Sequence, residues 1–161
     1  MLTDILTYNL KIVICGTAAG NKSAELKQYY AGRGNRFWKT LHETGLTPNL
    51  LTPADYEKLP SFGLGLTDLV KTKSGMDKAL AKGDYDLDSF RAKIEKYAPK
   101  TICFNGKKAA ESYLQRWVDY GLQPETICKT KLFVAPSTSG AASRYWDLKI
   151  WYKLETLSAN R

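Results

Sequence analysis

The chain has 161 residues, 43% of them hydrophobic and 25% charged, enough for one domain with its own core. No apolar run approaches the roughly 18 residues needed to span a bilayer, and Met1-Leu2-Thr3-Asp4-Ile5 lacks the basic start of a signal peptide, so a cytoplasmic protein is expected. A net charge of +8 favours an anionic partner, because a basic face gains affinity by displacing counterions from phosphates.

In chain order, Ile12-Val13-Ile14-Cys15 reads as a buried strand that breaks into a small-residue loop, Gly16-Thr17-Ala18-Ala19-Gly20. Ser23 is placed to cap a helix from about Ala24. Residues 28–34 contain Tyr29, Tyr30, Gly32 and Gly34 and read as a loop with aromatic side chains at hand. Asn35 then caps a helix over 36–44 with Phe37, Trp38 and Leu41 inward. Pro48, Pro53 and Pro60 punctuate a loop-rich stretch with a short helix over 54–58. Residues 62–70 read as a strand and 71–86 as a mobile polar loop.

Phe90, Ile94 and Tyr97 recur at helical spacing, and Pro99 ends that helix. Thr101-Ile102-Cys103-Phe104 is the next strand, running into Asn105-Gly106-Lys107. Ala110, Tyr113, Leu114 and Trp117 repeat the helical spacing. A last strand, Leu132-Phe133-Val134-Ala135, enters Pro136-Ser137-Thr138-Ser139-Gly140, and Leu148, Trp151 and Tyr152 mark one face of a closing helix. Alternating strands and helices predict a three-layer α/β/α sandwich with a central, mainly parallel sheet, in one domain spanning 1–161.

In such a sheet the strands' carboxyl ends share one edge, where open α/β folds bind ligands. The three small-residue loops are therefore expected to frame one site. Glycine after a strand is first a turn device, and Gly16 to Gly20 matches neither a dinucleotide fingerprint nor a Walker loop. Nicotinamide and nucleoside triphosphate chemistry are thereby disfavoured. The hydroxyl run Ser137-Thr138-Ser139 suits phosphate contacts, and Tyr30 suits stacking on a ring, although capping and loop anchoring explain them equally.

Three cysteines, Cys15, Cys103 and Cys128, form no CxxC pair; Cys15 and Cys103 lie in apolar strand runs and read as reduced core thiols. The single histidine, His42, excludes a His-rich metal site and sits on a helix as a surface or boundary residue.

Taken together, these blocks resemble the mismatch-specific uracil/thymine DNA glycosylases of the uracil-DNA glycosylase superfamily. The matching pieces are Asp4-Ile5-Leu6, Val13-Ile14-Cys15-Gly16 with Gly20, Asn35-Arg36-Phe37-Trp38-Lys39, Gly45-Leu46-Thr47-Pro48, Gly65-Leu66-Thr67-Asp68-Leu69-Val70, Phe104-Asn105-Gly106-Lys107 and Pro136-Ser137, in the family's order. Gln28-Tyr29-Tyr30-Ala31 and Pro136-Ser137-Thr138-Ser139 look closer to the hypoxanthine glycosylase branch.

The resemblance implies an enzyme that flips a deaminated or mispaired base out of DNA and hydrolyses its N-glycosidic bond without metal or cofactor. Uracil opposite guanine is the default substrate, and the family suggests a monomer. Gly16, Thr17, Ala18 and Gly20 would then line the base pocket, with Tyr30 stacking and Asn105 nearby. Ser23, Lys107, Ser137, Thr138 and Ser139 would contact DNA.

Two departures matter. The mismatch-specific family has Gly-Ile-Asn-Pro-Gly where this chain has Gly16-Thr17-Ala18-Ala19-Gly20, so the water-positioning Asn is Ala18. By chemistry, its replacements rank as Asp68, then Asn35, then Asn21. The residues after Pro136-Ser137 are all small until Arg144, which becomes the candidate plug for the gap left by a flipped base and points to single-stranded or distorted substrates. The rival expectation, motivated by Ala18, is a catalytically inactive module that still binds damaged DNA.

Overall fold

The computed structural model describes residues 2–74 and 82–159. Its strands are β1 (Ile12–Ala19), β2 (Leu64–Ser74), β3 (Thr101–Asn105), β4 (Gly121–Ile127) and β5 (Thr130–Ala135). The helices are α1 (Asn21–Leu26), α2 (Phe37–Glu43), α3 (Leu87–Tyr97), α4 (Lys107–Leu114) and α5 (Leu148–Ala159). One sheet runs β2-β1-β3-β5-β4, parallel throughout except for β4, which pairs antiparallel with β5.

Alternation along the strands sorts the core into two layers. Ile12, Ile14, Leu64, Leu66 and Phe133 pack with Phe37, Leu41 and Trp151 on one side. Val13, Cys15, Ile102, Phe104 and Val134 pack with Phe90, Ile94 and Ala110 on the other. Because both faces of the central strands are covered, their sequences are continuous apolar runs. Each large side chain buried in this way contributes about 1.5–3 kcal/mol. The expected α/β/α sandwich is the observed one.

The connection from β1 leads to β2 on one side, and the chain then crosses to β3 on the other. The order reverses between β1 and β3, which makes their carboxyl ends, at Gly16 and Asn105, the switch-point crevice of the sheet.

Several local expectations are corrected. The segment read as a loop from Gly16 continues as strand to Ala19, because β2 runs on beside it and supplies partners (Ala18 with Val70, Ala19 with Ser74). β2 itself reaches Ser74, so Lys71 belongs to a strand; of the expected 71–86 loop, residues 75–81 lie outside the described residues and Lys82–Asp84 is a 3-10 turn. Ser23 is not a cap: Gly20 holds that position and Ser23 is buried inside α1. The short helix over 54–58 is a 3-10 stretch, Pro53–Phe62.

β4 was not legible, since Pro124 argues against a strand; it is tolerated because β4 is an edge. α4 stops at Leu114 with Gln115 at φ 58°, leaving Trp117 90% exposed rather than on the helix's apolar face. Tyr152 also leaves the apolar face of α5, and its hydroxyl donates to the Glu43 carbonyl at 2.9 Å, tying α5 to α2.

One close approach positions the N-terminal segment. Ile5 and Leu66 exchange two backbone hydrogen bonds of 2.9 Å. A Cβ on Gly65 would lie 2.5 Å from the Ile5 carbonyl oxygen, so only glycine lets the segment lie there. That contact brings Asp4 beside Thr67 on β2, where the Thr67 hydroxyl donates to Asp4 at 2.8 Å.

Candidate active site at the sheet's switch point

Gly16 and Asp68 face each other across β1 and β2 in register. A Cβ on Gly16 would sit 2.9 Å from Asp68 Oδ1 and 3.5 Å from the Tyr30 hydroxyl, so the missing side chain is what lets both groups converge. Pairing of β1 with β3 ends at Cys15 and Phe104. Beyond that point β1 pairs with β2 alone, Gly16 with Asp68 and Ala18 with Val70. The expected cradle of loop amides is thus a half-paired strand edge.

Asp68 is only 4% exposed, and burial pushes its carboxyl up to about 6, with Asp4 adding to the rise and Lys71 opposing it. The Lys71 ammonium lies 3.5 Å from Asp68 Oδ2 and 2.8 Å from Asp4 Oδ1, and donates to the Tyr29 hydroxyl at 3.1 Å. Lys93, from α3, meets the other Asp4 oxygen at 2.6 Å. Burial works against the Asp4 charge, yet Lys71, Lys93 and Thr67 together hold its carboxyl below the usual carboxylate range. Two carboxylates therefore share one lysine, and the more deeply buried one keeps its proton to higher pH.

Tyr30 has φ 52°, a backbone state that a bulky residue rarely adopts. Its ring stacks on Phe37 at 4.0 Å and 24°, leaving only the opposite face for a second ring. The hydroxyl is buried without a well-formed hydrogen bond, and burial, followed by the Asp68 charge, raises its pKa far above the ordinary value. The loop carrying Tyr30 is fixed from below: Trp38 Nε1 donates to the Tyr29 carbonyl at 3.1 Å, and Ala31 N donates to Ser23 Oγ at 2.9 Å. Ser23, expected at DNA, is instead a buried anchor of this loop.

Asn105, at the end of β3, holds the third loop. Its Nδ2 donates to Thr138 Oγ1 and its Oδ1 accepts from Thr138 N, both at 3.0 Å. Thr138 is 0% exposed, which corrects its assignment to a phosphate: its hydroxyl fastens the loop. Ser137 and Ser139 are half-buried, and each oxygen accepts from a backbone N–H two residues on, at 3.2 Å. Arg36 N donates to the Thr138 carbonyl at 2.8 Å, joining the Asn35 corner to the same loop.

Arg36, not Asn35, holds the N-cap position of α2, a correction to the expected cap. Asn35 stands one residue earlier, where its Oδ1 accepts from Phe37 N at 2.9 Å and its amide nitrogen is what remains for other chemistry. Asn21 is exposed on α1, where its Oδ1 accepts from Ser74 Oγ at 3.2 Å, and it does not join the cluster. Thr17 and Ala18 are half-buried and Gly20 is exposed at the tip of β1. Lys107 stands at the start of α4 with its ammonium 4.6 Å from the centre of the Tyr120 ring. Arg144 is exposed beside Tyr145, itself 64% exposed, a second large side chain passed over in the sequence. His42 is exposed on the last turn of α2, and Cys15 and Cys103 are buried free thiols.

Sequence reasoning missed Lys71, Lys93 and Tyr29. The Asp4-Ile5-Leu6 block was a usable signal for Asp4, but its lysine partners come from a strand read as a loop and from a helix 89 residues away. Among the described residues, no group of three or more His, Cys, Asp or Glu side chains is placed to hold a metal ion, and no helix is long and apolar enough to cross a membrane.

Fold and site together define an α/β protein with a buried carboxylate, a strained aromatic and a fixed amide at one switch-point crevice. The chain belongs to the uracil DNA glycosylase superfamily, which residues 3–159 match. It is also similar to a Methanosarcina acetivorans protein provisionally described as a uracil DNA glycosylase and solved by solution NMR. The two share 24% identity and a TM-score of 0.64, with 96% of each chain covered, a likeness of fold.

Proposed function

We propose that this protein is a monofunctional DNA glycosylase. It flips a deaminated or mispaired base from DNA and hydrolyses the N-glycosidic bond to leave an abasic site, with uracil opposite guanine as first substrate. The convergence of Gly16, Asp68, Tyr30 and Asn105 on one crevice, within a chain of this superfamily, carries the reading.

In this mechanism the extruded base lies over Gly16 against the free face of Tyr30. Water adds to the anomeric carbon and gives up one proton to solvent, the bond to the base breaks, the base leaves with the bonding pair, and it takes up a proton from solvent. Asp68, ionised above about pH 6, orients the water and stabilises the positive charge developing on the sugar. Asn105 stays fixed through Thr138 and borders the base. Ser137, Ser139 and Lys107 take phosphates, and Arg144 fills the vacated stack. The protein acts as a monomer on cytoplasmic, nucleoid DNA.

One observation favours a second reading. Ala18 stands where the mismatch-specific glycosylases have the Asn that positions water, and a methyl group cannot do so. In that reading the protein binds damaged DNA without cutting it.

The test is incubation with oligonucleotides carrying uracil, hypoxanthine, a thymine mispair or ethenocytosine, single- and double-stranded, followed by alkali. Strand breaks that Asp68→Asn abolishes support the mechanism; breaks lost only in Asn35→Ala move the water to Asn35. No breaks on any substrate, with DNA binding intact, select the second reading.

A further inference from the structure

At the opposite edge of the sheet, a cavity of about 270 Å³ opens between the starts of β1, β3 and β5 and the end of α5. Lys11, Lys100, Lys129 and Lys131 line it, and among the described residues no carboxylate or aromatic side chain does. All four lysines are exposed. Among the described residues none of them is ion-paired, whereas Lys39, Lys58, Lys71 and Lys93 each meet a carboxylate.

The sheet itself forces the cluster together. Lys100 N donates to the Leu10 carbonyl at 3.1 Å and Lys131 N to the Lys100 carbonyl at 3.0 Å, so three lysines occupy adjoining strand starts. Neighbouring strands lie about 4.8 Å apart, and like charges at that spacing repel. The Lys11 stem packs against Gly63 on the β2 side, where a Cβ would be 3.0 Å from its Cγ, and Lys11 borders the cavity from that side. Four ammonium groups in one concavity outweigh the partial negative charge of the α3 and α5 carboxyl ends that border it, and such a concavity concentrates anions.

We propose that this cavity is a second anion site, which takes a run of phosphates from a nucleic-acid backbone or from free polyphosphate. Flexible ammonium groups without an aromatic platform suit phosphates rather than bases. Lys11 and Gly16 are five residues apart along the chain, roughly 16 Å of strand. A backbone held here is therefore a different segment from one whose base enters the crevice. Phosphate binding at this edge is independent of base excision, and the two readings fail separately.

The test uses the full chain with Lys100→Gln/Lys131→Gln, and Lys129→Gln, in the β4–β5 turn, as a second variant. Lys39→Gln/Lys58→Gln removes the same charge elsewhere and is the control. Calorimetric titration with tripolyphosphate is expected to show at least tenfold weaker binding in the double variant, weaker binding in Lys129→Gln, and no change in the control. Affinity for undamaged duplex is then followed against salt. A fall of about 2 in the log–log slope identifies nucleic-acid backbone as the source, at about 0.9 per lost phosphate contact; an unchanged slope identifies free polyphosphate. Tripolyphosphate affinity equal in wild type and both cavity variants, or an equal loss in the control, overturns the proposal.

Discussion

Replacing Asp68 by asparagine keeps the shape of the buried carboxyl and removes its titration. Burial holds this carboxyl at about 6 against an ordinary 3.8. At about 1.4 kcal/mol per pH unit, the difference amounts to roughly 3 kcal/mol. The sign follows from which state holds the proton more tightly, and here it is the folded one. The stabilising contribution is complete below about pH 4 and is lost as pH rises through 6. Asp4, whose carboxyl is held low, works in the opposite direction and only at lower pH, outside this window. Wild type and Asp68→Asn are thus expected to have similar stability at pH 4, and the variant to be more stable by up to about 3 kcal/mol at pH 7, a rise in Tm of roughly 6–12 °C. Urea unfolding from pH 4 to 8 measures this directly. Its base-excision rate is expected to fall about 10²–10³-fold, as for loss of a group aimed at developing charge. A variant no more stable than wild type at pH 7 would refute the assignment of a strained, buried charge to this position.

Three further substitutions probe the geometry around that carboxylate. Gly16→Ala puts a methyl group 2.9 Å from Asp68 Oδ1; it is expected to cost about 1–3 kcal/mol in stability by overpacking and to suppress excision more than duplex binding, as read by single-turnover rate against Kd. Asn105→Ala removes both hydrogen bonds to Thr138; a loss of about 2–3 kcal/mol in chemical unfolding is expected. Gly65→Ala collides with the Ile5 carbonyl and is expected to free the N-terminal segment, seen as faster amide exchange at Ile5 and Leu66 than in wild type.

The layer plan was legible because burial on both faces writes itself into apolar runs such as Ile12-Val13-Ile14-Cys15 and Leu132-Phe133-Val134-Ala135. The switch-point cluster was half legible. Gly16, Asp68, Tyr30 and Asn105 each stand in a recognisable block, and the parallel sheet delivers their strand ends to one edge. What failed was local propensity against tertiary context. Small residues at 17–19 read as loop, yet they stay in the sheet because β2 extends beside them. Pro124 masked an edge strand. Thr138 read as a phosphate contact because hydroxyls suit phosphates, and Ser23 as a DNA contact through the family resemblance, but both hydroxyls hold loops instead. The Asp4–Lys71–Lys93 network joins three separated segments, a pairing that no spacing rule in the chain could reveal.

The central claim is excision, and release of the free base tests it most directly. A duplex with uracil opposite guanine would be incubated with the full chain at pH 7.5 and the small-molecule fraction analysed by mass spectrometry for uracil. Free uracil appearing in step with abasic sites in the strand, and absent with Asp68→Asn, is the expected result. Tight binding of the same duplex with no base released from it, nor from the hypoxanthine, thymine-mispair and ethenocytosine duplexes, would contradict the claim and leave a protein that binds damage without cutting it.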